Sequence, residues 1–119
     1  MELGGYKLIV AMTKPQHTDD MVKAAKEAGA SGATILPASG AGLNEAKTFF
    51  GLTLDVQTDV ALFLLPECLV KRVLKAIQAG GRLTEPGTGV VFTLPVEQVA
   101  GLESQLEHFN KEACKIDPD

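Results

Sequence analysis

The six residues Val60 to Leu65, VALFLL, are apolar without exception. A strand with one wet face alternates apolar and polar side chains, because successive residues point to opposite sides of the sheet. An unbroken apolar run of this length therefore belongs to a sheet covered on both faces. The other segments of the chain must supply those two covers. At 119 residues the chain is long enough to bury a core as one domain spanning 1–119 and too short to hold two.

Three further runs read as strands: Tyr6 to Met12 (YKLIVAM), Ala33 to Pro37 (ATILP) and Val90 to Leu94 (VVFTL). Lys14-Pro15 closes the first and Pro95 the last, because proline cannot continue a ladder. Thr18, Asp19 and Asp20 read as a helix start, followed at helical spacing by Met21, Ala24, Ala25 and Ala28 until Gly29 and Gly32 break the pattern. Pro66 and Glu67 open a second helix with one stripe of Leu69, Val70, Val73, Leu74 and Ile77, ending near Ala79-Gly80-Gly81. After Pro95, the residues Val96, Val99, Leu102, Leu106 and Phe109 recur every three or four positions and predict a terminal helix before a frayed KIDPD tail.

Between Ala38 and Thr58 no period is sustained, so this stretch reads as a loop longer than a simple connection needs. The order is β-α-β, long loop, β-α-β, helix. Right-handed crossovers in both halves give an α+β, ferredoxin-like βαββαβ fold, with a four-stranded antiparallel sheet and both main helices on one face. The other face is then left bare, and Val60 to Leu65 demand that it be covered. Self-association is the simplest cover.

Charge and composition exclude several function classes. A net charge of −4, with Arg72 and Arg82 as the only arginines, leaves no electrostatic footprint for nucleic acid. The opening MELGGYKLIVAM lacks a basic start and a long apolar segment, which predicts a cytoplasmic protein that is not embedded in a membrane. Cys68 and Cys114 stand far apart in a chain without secretory features, so reduced thiols are expected. His17, His108, Cys68 and Cys114 have no metal-ligand spacing, and no metal is expected to be required.

Gly87-Thr88-Gly89, directly before the fourth strand, admits two readings. Two glycines accept positive φ and permit a sharp turn. Successive unhindered N–H groups in such a turn also form a concavity that holds a phosphate.

Several motifs in order, spread from Tyr6 to Val99, resemble the P-II nitrogen regulatory proteins. They are the first strand with Lys14-Pro15 and a Thr-Asp-Asp helix start, Gly32-Ala33-Thr34-Ile35, the Gly40-Ala41-Gly42 loop opening, VALFLLP, and Gly87-Thr88-Gly89 ahead of VVFTLPVE. The resemblance implies a ferredoxin-like homotrimer with nucleotide in clefts between subunits. It also implies a long T-loop that docks onto a membrane transporter or metabolic enzyme according to ligand state. On that resemblance, Gly40 and Gly42 fall at the loop base, and Asn44 stands where the family has a glutamine that helps hold Mg²⁺ and 2-oxoglutarate. Leu64 matches an adenine-contacting position, Gly87, Thr88 and Gly89 the phosphate cradle, and Ala33 and Thr34 the positions where a neighbouring subunit meets the base.

The departures from the family pattern concern charge. Val90 replaces the lysine after the second turn glycine, and Gly101 and Glu103 stand where two arginines grip the distal phosphates. Each lost charge-assisted hydrogen bond costs roughly 1.5–3 kcal/mol. The expected effector is thus an adenine nucleotide (AMP, ADP or ATP) without the usual preference for ATP, and the loop, shorter than the family's, lacks the tyrosine that is uridylylated.

Arg82, the arginine nearest the glycine turn, reaches a phosphate or stands as a solvated charge. Lys47, Phe49 and Phe50 are the partner-docking candidates of the loop, with packing back onto the protein's own surface as the alternative for the two aromatic residues. Cys114 reads as an idle exposed thiol and Tyr6 as a strand-edge residue. No nucleophile–base pair assembles from these motifs, so the chain reads as a regulator and not an enzyme. A metal-tolerance-type trimeric binding protein and a small phosphoryl hydrolase are the alternatives on the same fold.

Overall fold

The computed structural model describes residues 2–39, 48–49, 52–53, 57–85 and 88–101. Within them, strand β1 (Glu2–Thr13) leads to helix α1 (Pro15–Glu27) and strand β2 (Thr34–Ala38). Strands β3 (Thr48–Phe49) and β4 (Leu52–Thr53) pair with each other inside the segment read as an irregular loop. Strand β5 (Thr58–Pro66), helix α2 (Glu67–Gly80) and strand β6 (Gly89–Val99) complete the order. The main sheet runs β2-β5-β1-β6, and all its neighbours are antiparallel. This is the expected ferredoxin-like architecture.

The two longest apolar runs became the two interior strands. Their register places Ile9 opposite Phe63, Ala11 opposite Ala61 and Lys7 opposite Leu65, so odd-numbered residues of both strands share a face. Ile9, Ala11, Ala61 and Phe63 are wholly buried there beneath Met21 and Ala25 of α1 and Leu69, Val73 and Ile77 of α2. Burying a side chain such as Leu or Phe contributes about 1.5–3 kcal/mol. Tyr6, expected at a strand edge, is instead buried at 9% exposure, because β1 is interior and Tyr6 sits between Pro66 and Val96.

Three boundaries differ from the sequence reading. Helix α1 begins at Pro15, not at Thr18: proline suits the first helical position, whose N–H has no intrahelical acceptor. Thr18 is therefore freed from capping, and its hydroxyl donates to Asp59 Oδ2 at 2.7 Å, tying α1 to the start of β5. Strand β6 continues through Pro95 to Val99, which an edge strand allows because a missing N–H on its outer side breaks no ladder bond. Val96 and Val99 are thus strand residues and not the start of a helix; Leu102, Leu106, Phe109 and the KIDPD tail lie outside the described residues.

The opposite face carries the even-numbered partners. Leu36, Leu62, Leu64, Leu8, Met12, Phe92 and Leu94 lie on it by register, and Leu36 and Leu94 are 46% and 45% exposed. No element among the described residues packs over this face.

The helices approach each other closely at Gly80, where an added Cβ would stand 2.8 Å from Ala24 Cβ and 3.0 Å from the Asp20 carbonyl oxygen. Gly80→Val is expected to lose about 1–3 kcal/mol by overpacking. Urea denaturation should show a lower midpoint at unchanged slope.

Candidate functional site

Helix α2 ends in a Schellman turn: Leu83 N–H donates to the Gln78 carbonyl at 3.0 Å and Arg82 N–H to the Ala79 carbonyl at 3.2 Å. The residue that takes the left-handed conformation in this turn is Arg82, at φ 56. Glycine is the usual occupant, and a residue with a Cβ costs roughly 1–2 kcal/mol there. Arg82 is exposed, so no packing of its side chain offsets that cost.

Beyond Arg82 the chain is held by Thr88, which is 5% exposed. Its hydroxyl lies 2.7 Å from the Arg82 carbonyl oxygen and 2.9 Å from that of Glu85, and shares its one proton between them. Thr13 Oγ1 in turn donates to the Thr88 carbonyl at 3.5 Å. Gly89 then enters β6 so near β1 that a Cβ would collide with the Met12 carbonyl oxygen. Gly89 takes the positive φ read for it, at 153, and its lack of a Cβ is also required for this close backbone approach, while Arg82 is a second, non-glycine residue at positive φ. Gly87 lies outside the described residues.

Register brings this turn to the same end of the sheet as the long loop. Gly89 pairs with Thr13, Thr13 with Asp59 and Asp59 with Pro37, giving one row across all four strands. The loop leaves at Ala38 and returns at Thr58, one residue beyond that row. At about 4.8 Å per strand, the returning end stands two spacings, about 10 Å, from the turn. Thr58 was not singled out in the sequence, yet its hydroxyl is buried and has no hydrogen-bond partner among the described residues. Nothing in its sequence neighbourhood marks it, because the signal is burial.

The remaining candidate residues are dispersed. Leu64 lies on the bare face opposite Leu8. Ala33 is half-buried and Thr34 exposed at the start of β2, the edge strand opposite to β6, so a single chain does not bring them to the turn. Gly40, Gly42, Asn44, Lys47 and Phe50 lie outside the described residues, and of Phe49 only the strand assignment is described. Gly101 is exposed with φ 90, and Glu103 is outside the description. An open groove of about 450 Å³ between α1 and β2, lined by Val22, Lys23, Lys26 and Ile35 among others, contains none of the candidate residues. Cys68, the second residue of α2, is disulfide-bonded, which corrects the expectation of reduced thiols. Composition speaks to the redox compartment, whereas pairing depends on which sulfur the fold brings near.

Thr88→Val should strand two carbonyls without their donor and destabilise the protein by about 1–3 kcal/mol, with Thr88→Ser retaining most of the stability. Hydrogen exchange should quicken at Leu83 and Glu85 in the valine variant, which would separate loosening of the turn from a general loss of packing.

Comparison with known proteins places this geometry. The family model for nitrogen regulatory protein P-II matches residues 6–105. Nitrogen regulatory protein GlnK2 of Haloferax mediterranei is 32% identical over 99 residues, covering 79% of this chain and 80% of that protein. Nitrogen regulatory protein P-II of Azospirillum brasilense is 30% identical over 103 residues, covering 82% and 92%. Among solved structures, CPII from Thiomonas intermedia K12, bound to ADP, AMP and acetate, superposes with a TM-score of 0.64 at 23% identity, over 84% of this chain and 94% of that one. Arabidopsis thaliana PII bound to citrate gives 0.65, also at 23% identity, over 84% and 85%. With the fold, the loop position and the sequence match in agreement, the chain belongs to the nitrogen regulatory protein P-II family.

Proposed function

We propose that the protein is a homotrimeric regulator, one domain over its whole length, that binds an adenine nucleotide in clefts between subunits and acts on a membrane transporter or metabolic enzyme through residues 38–58. It performs no catalysis of its own, requires no metal and works in the cytoplasm. The observation that carries this reading is the row Gly89, Thr13, Asp59 and Pro37, which sets the turn at the same end of the sheet as both ends of the loop, with the returning end two strands away. A phosphate on the turn would sit at the end of the sheet from which the loop departs and to which it returns, so that ligand state could become loop state. In this reading Gly40, Gly42 and Asn44 form the loop base and Gly87, Thr88 and Gly89 cradle the proximal phosphate. Leu64 meets the base together with Ala33 and Thr34 of a neighbouring copy, and Lys47, Phe49 and Phe50 dock the partner.

The bare apolar face supports trimerisation, since Leu36, Phe92 and Leu94 would otherwise face water. Membership of a family of signalling proteins supports the regulatory role. Among the described residues, no helix is long and apolar enough to cross a membrane, and no group of three His, Cys, Asp or Glu side chains could hold a metal.

Light scattering at micromolar concentration should return three times the 12.6 kDa chain mass, and Leu94→Asp should give monomers. A wild-type monomer would remove the cleft and with it the proposal. Calorimetry should give AMP, ADP and ATP affinities within about tenfold of one another, that is within about 1.4 kcal/mol; a strong preference for ATP would point to distal-phosphate cations other than those considered.

Arg82 provides a test with two readouts of opposite sign. Strain at a left-handed arginine is sustained where its side chain has a use. Arg82→Gly should raise stability by up to about 1 kcal/mol while weakening AMP binding several-fold. Unchanged affinity would return Arg82 to the role of a solvated charge.

A further inference from the structure

Thr13 ends the buried face of β1. Ile9, Ala11 and Thr13 follow one another at the strand period of two, and all three are wholly shielded from solvent. Valine has the same branched shape and would bury no hydroxyl here, whereas a hydroxyl taken out of water costs free energy unless it is hydrogen-bonded. The acceptor that the Thr13 hydroxyl finds among the described residues is the Thr88 carbonyl, at 3.5 Å, long beside the roughly 2.7–2.8 Å of an ordinary O–H···O bond. Packing alone does not call for a threonine at this position.

What the bond does is fix the direction of a peptide group. In a trans peptide the C=O and the following N–H point in opposite directions, and none of the described peptides is cis. With the Thr88 carbonyl held toward Thr13, the Gly89 N–H is turned away from β1. The ladder leads independently to the same orientation. Opposed residues of an antiparallel pair alternate between those that exchange both hydrogen bonds and those that exchange none. Pro95, opposite Lys7, has no N–H to exchange, and the register runs unbroken from Lys7 and Pro95 to Thr13 and Gly89, so Gly89 belongs with Pro95 to the second kind. Its N–H therefore faces the outer edge of β6, where no further strand lies among the described residues. The Thr88 side chain adds no donor there, because its proton is taken by the Arg82 and Glu85 carbonyls.

We infer that Thr13 is the positioning residue of the phosphate site: from behind the turn it holds the Thr88–Gly89 peptide so that the Gly89 N–H is presented to the phosphate of a nucleotide. This inference rests on the reading of the turn as a phosphate cradle. Being wholly buried, Thr13 acts through that peptide and not on the ligand. A phosphate accepting from the Gly89 N–H and the Thr13 hydroxyl donating to the Thr88 carbonyl polarise the same peptide group, so each bond strengthens the other.

The test is calorimetry of AMP and of adenosine on the full-length wild type, Thr13→Val and Thr13→Ser, since the ratio of the two affinities isolates what the phosphate contributes. Thr13→Val keeps the shape and removes the donor. It should lower the ratio several-fold with adenosine affinity unchanged, and Thr13→Ser should keep the wild-type ratio. In amide NMR spectra of the wild type, saturation with AMP should move the Gly89 proton downfield and adenosine should not, and the shift should shrink in Thr13→Val. A ratio that stays at its wild-type value in the valine variant, whether both affinities hold or both fall together, would assign Thr13 to packing and overturn this inference alone. So would a Gly89 amide indifferent to AMP in a wild type that binds AMP more tightly than adenosine, a result that stands even where Thr13→Val fails to fold. A wild-type ratio of one would overturn the phosphate reading together with it.

Discussion

The packing of two helices on one face of a four-stranded sheet governs this molecule. Phe63 and Ile9 meet across β5 and β1 at zero exposure, with Met21, Leu69, Val73 and Ile77 closing over them. Two helices have enough apolar surface to cover one side of such a sheet. The interior strands, however, are apolar on both sides, so the arrangement that completes the core also creates a second hydrophobic face carrying Leu36, Phe92 and Leu94. Because apolar burial scales with the area removed from water, the incentive to associate is built into the same strands that build the fold.

Hydrogen bonds of unequal kinds shape the end of the sheet that carries the glycine turn and both ends of the long loop. The helix terminus is satisfied by a backbone Schellman turn, and beyond it the Thr88 hydroxyl, shared between the Arg82 and Glu85 carbonyls, is joined by the Glu85 N–H to Arg82 carbonyl bond and by Thr13 Oγ1 to the Thr88 carbonyl. Thr18 to Asp59 performs a similar service for the returning end of the loop. Few bonds of this sort anchor a segment while leaving it responsive, since each contributes only about 0.5–1.5 kcal/mol net. The orphaned Thr58 hydroxyl and the left-handed Arg82 lie at the same end as this lightly tied machinery.

The helices and interior strands were readable because their signals are local. Leu69, Val73 and Ile77 recur at the helical period, and VALFLL requires a doubly covered strand whatever its neighbours are. Boundaries were less legible: Pro15 reads as a strand stop and is also a favoured first helical residue, while Pro95 is forbidden in an interior strand and tolerated at an edge. The periodic Val96 and Val99 suited a helix by spacing, yet β1 offered them a pairing partner, and the ladder prevailed.

By itself the sequence determined the two main helices, the four strands of the main sheet, their order and the family, because hydrophobic period and the order of its turns are properties of the chain read along its length. It also determined that Val90, Gly101 and Glu103, which the family resemblance sets against cationic positions, are not cations. Only the tertiary structure decided that Tyr6 is buried, that Gly89 is needed to pass the Met12 carbonyl, and that Cys68 is paired. Each of these depends on contacts between residues far apart in the chain. Such contacts are fixed by strand order and register, which a one-dimensional pattern constrains but does not contain.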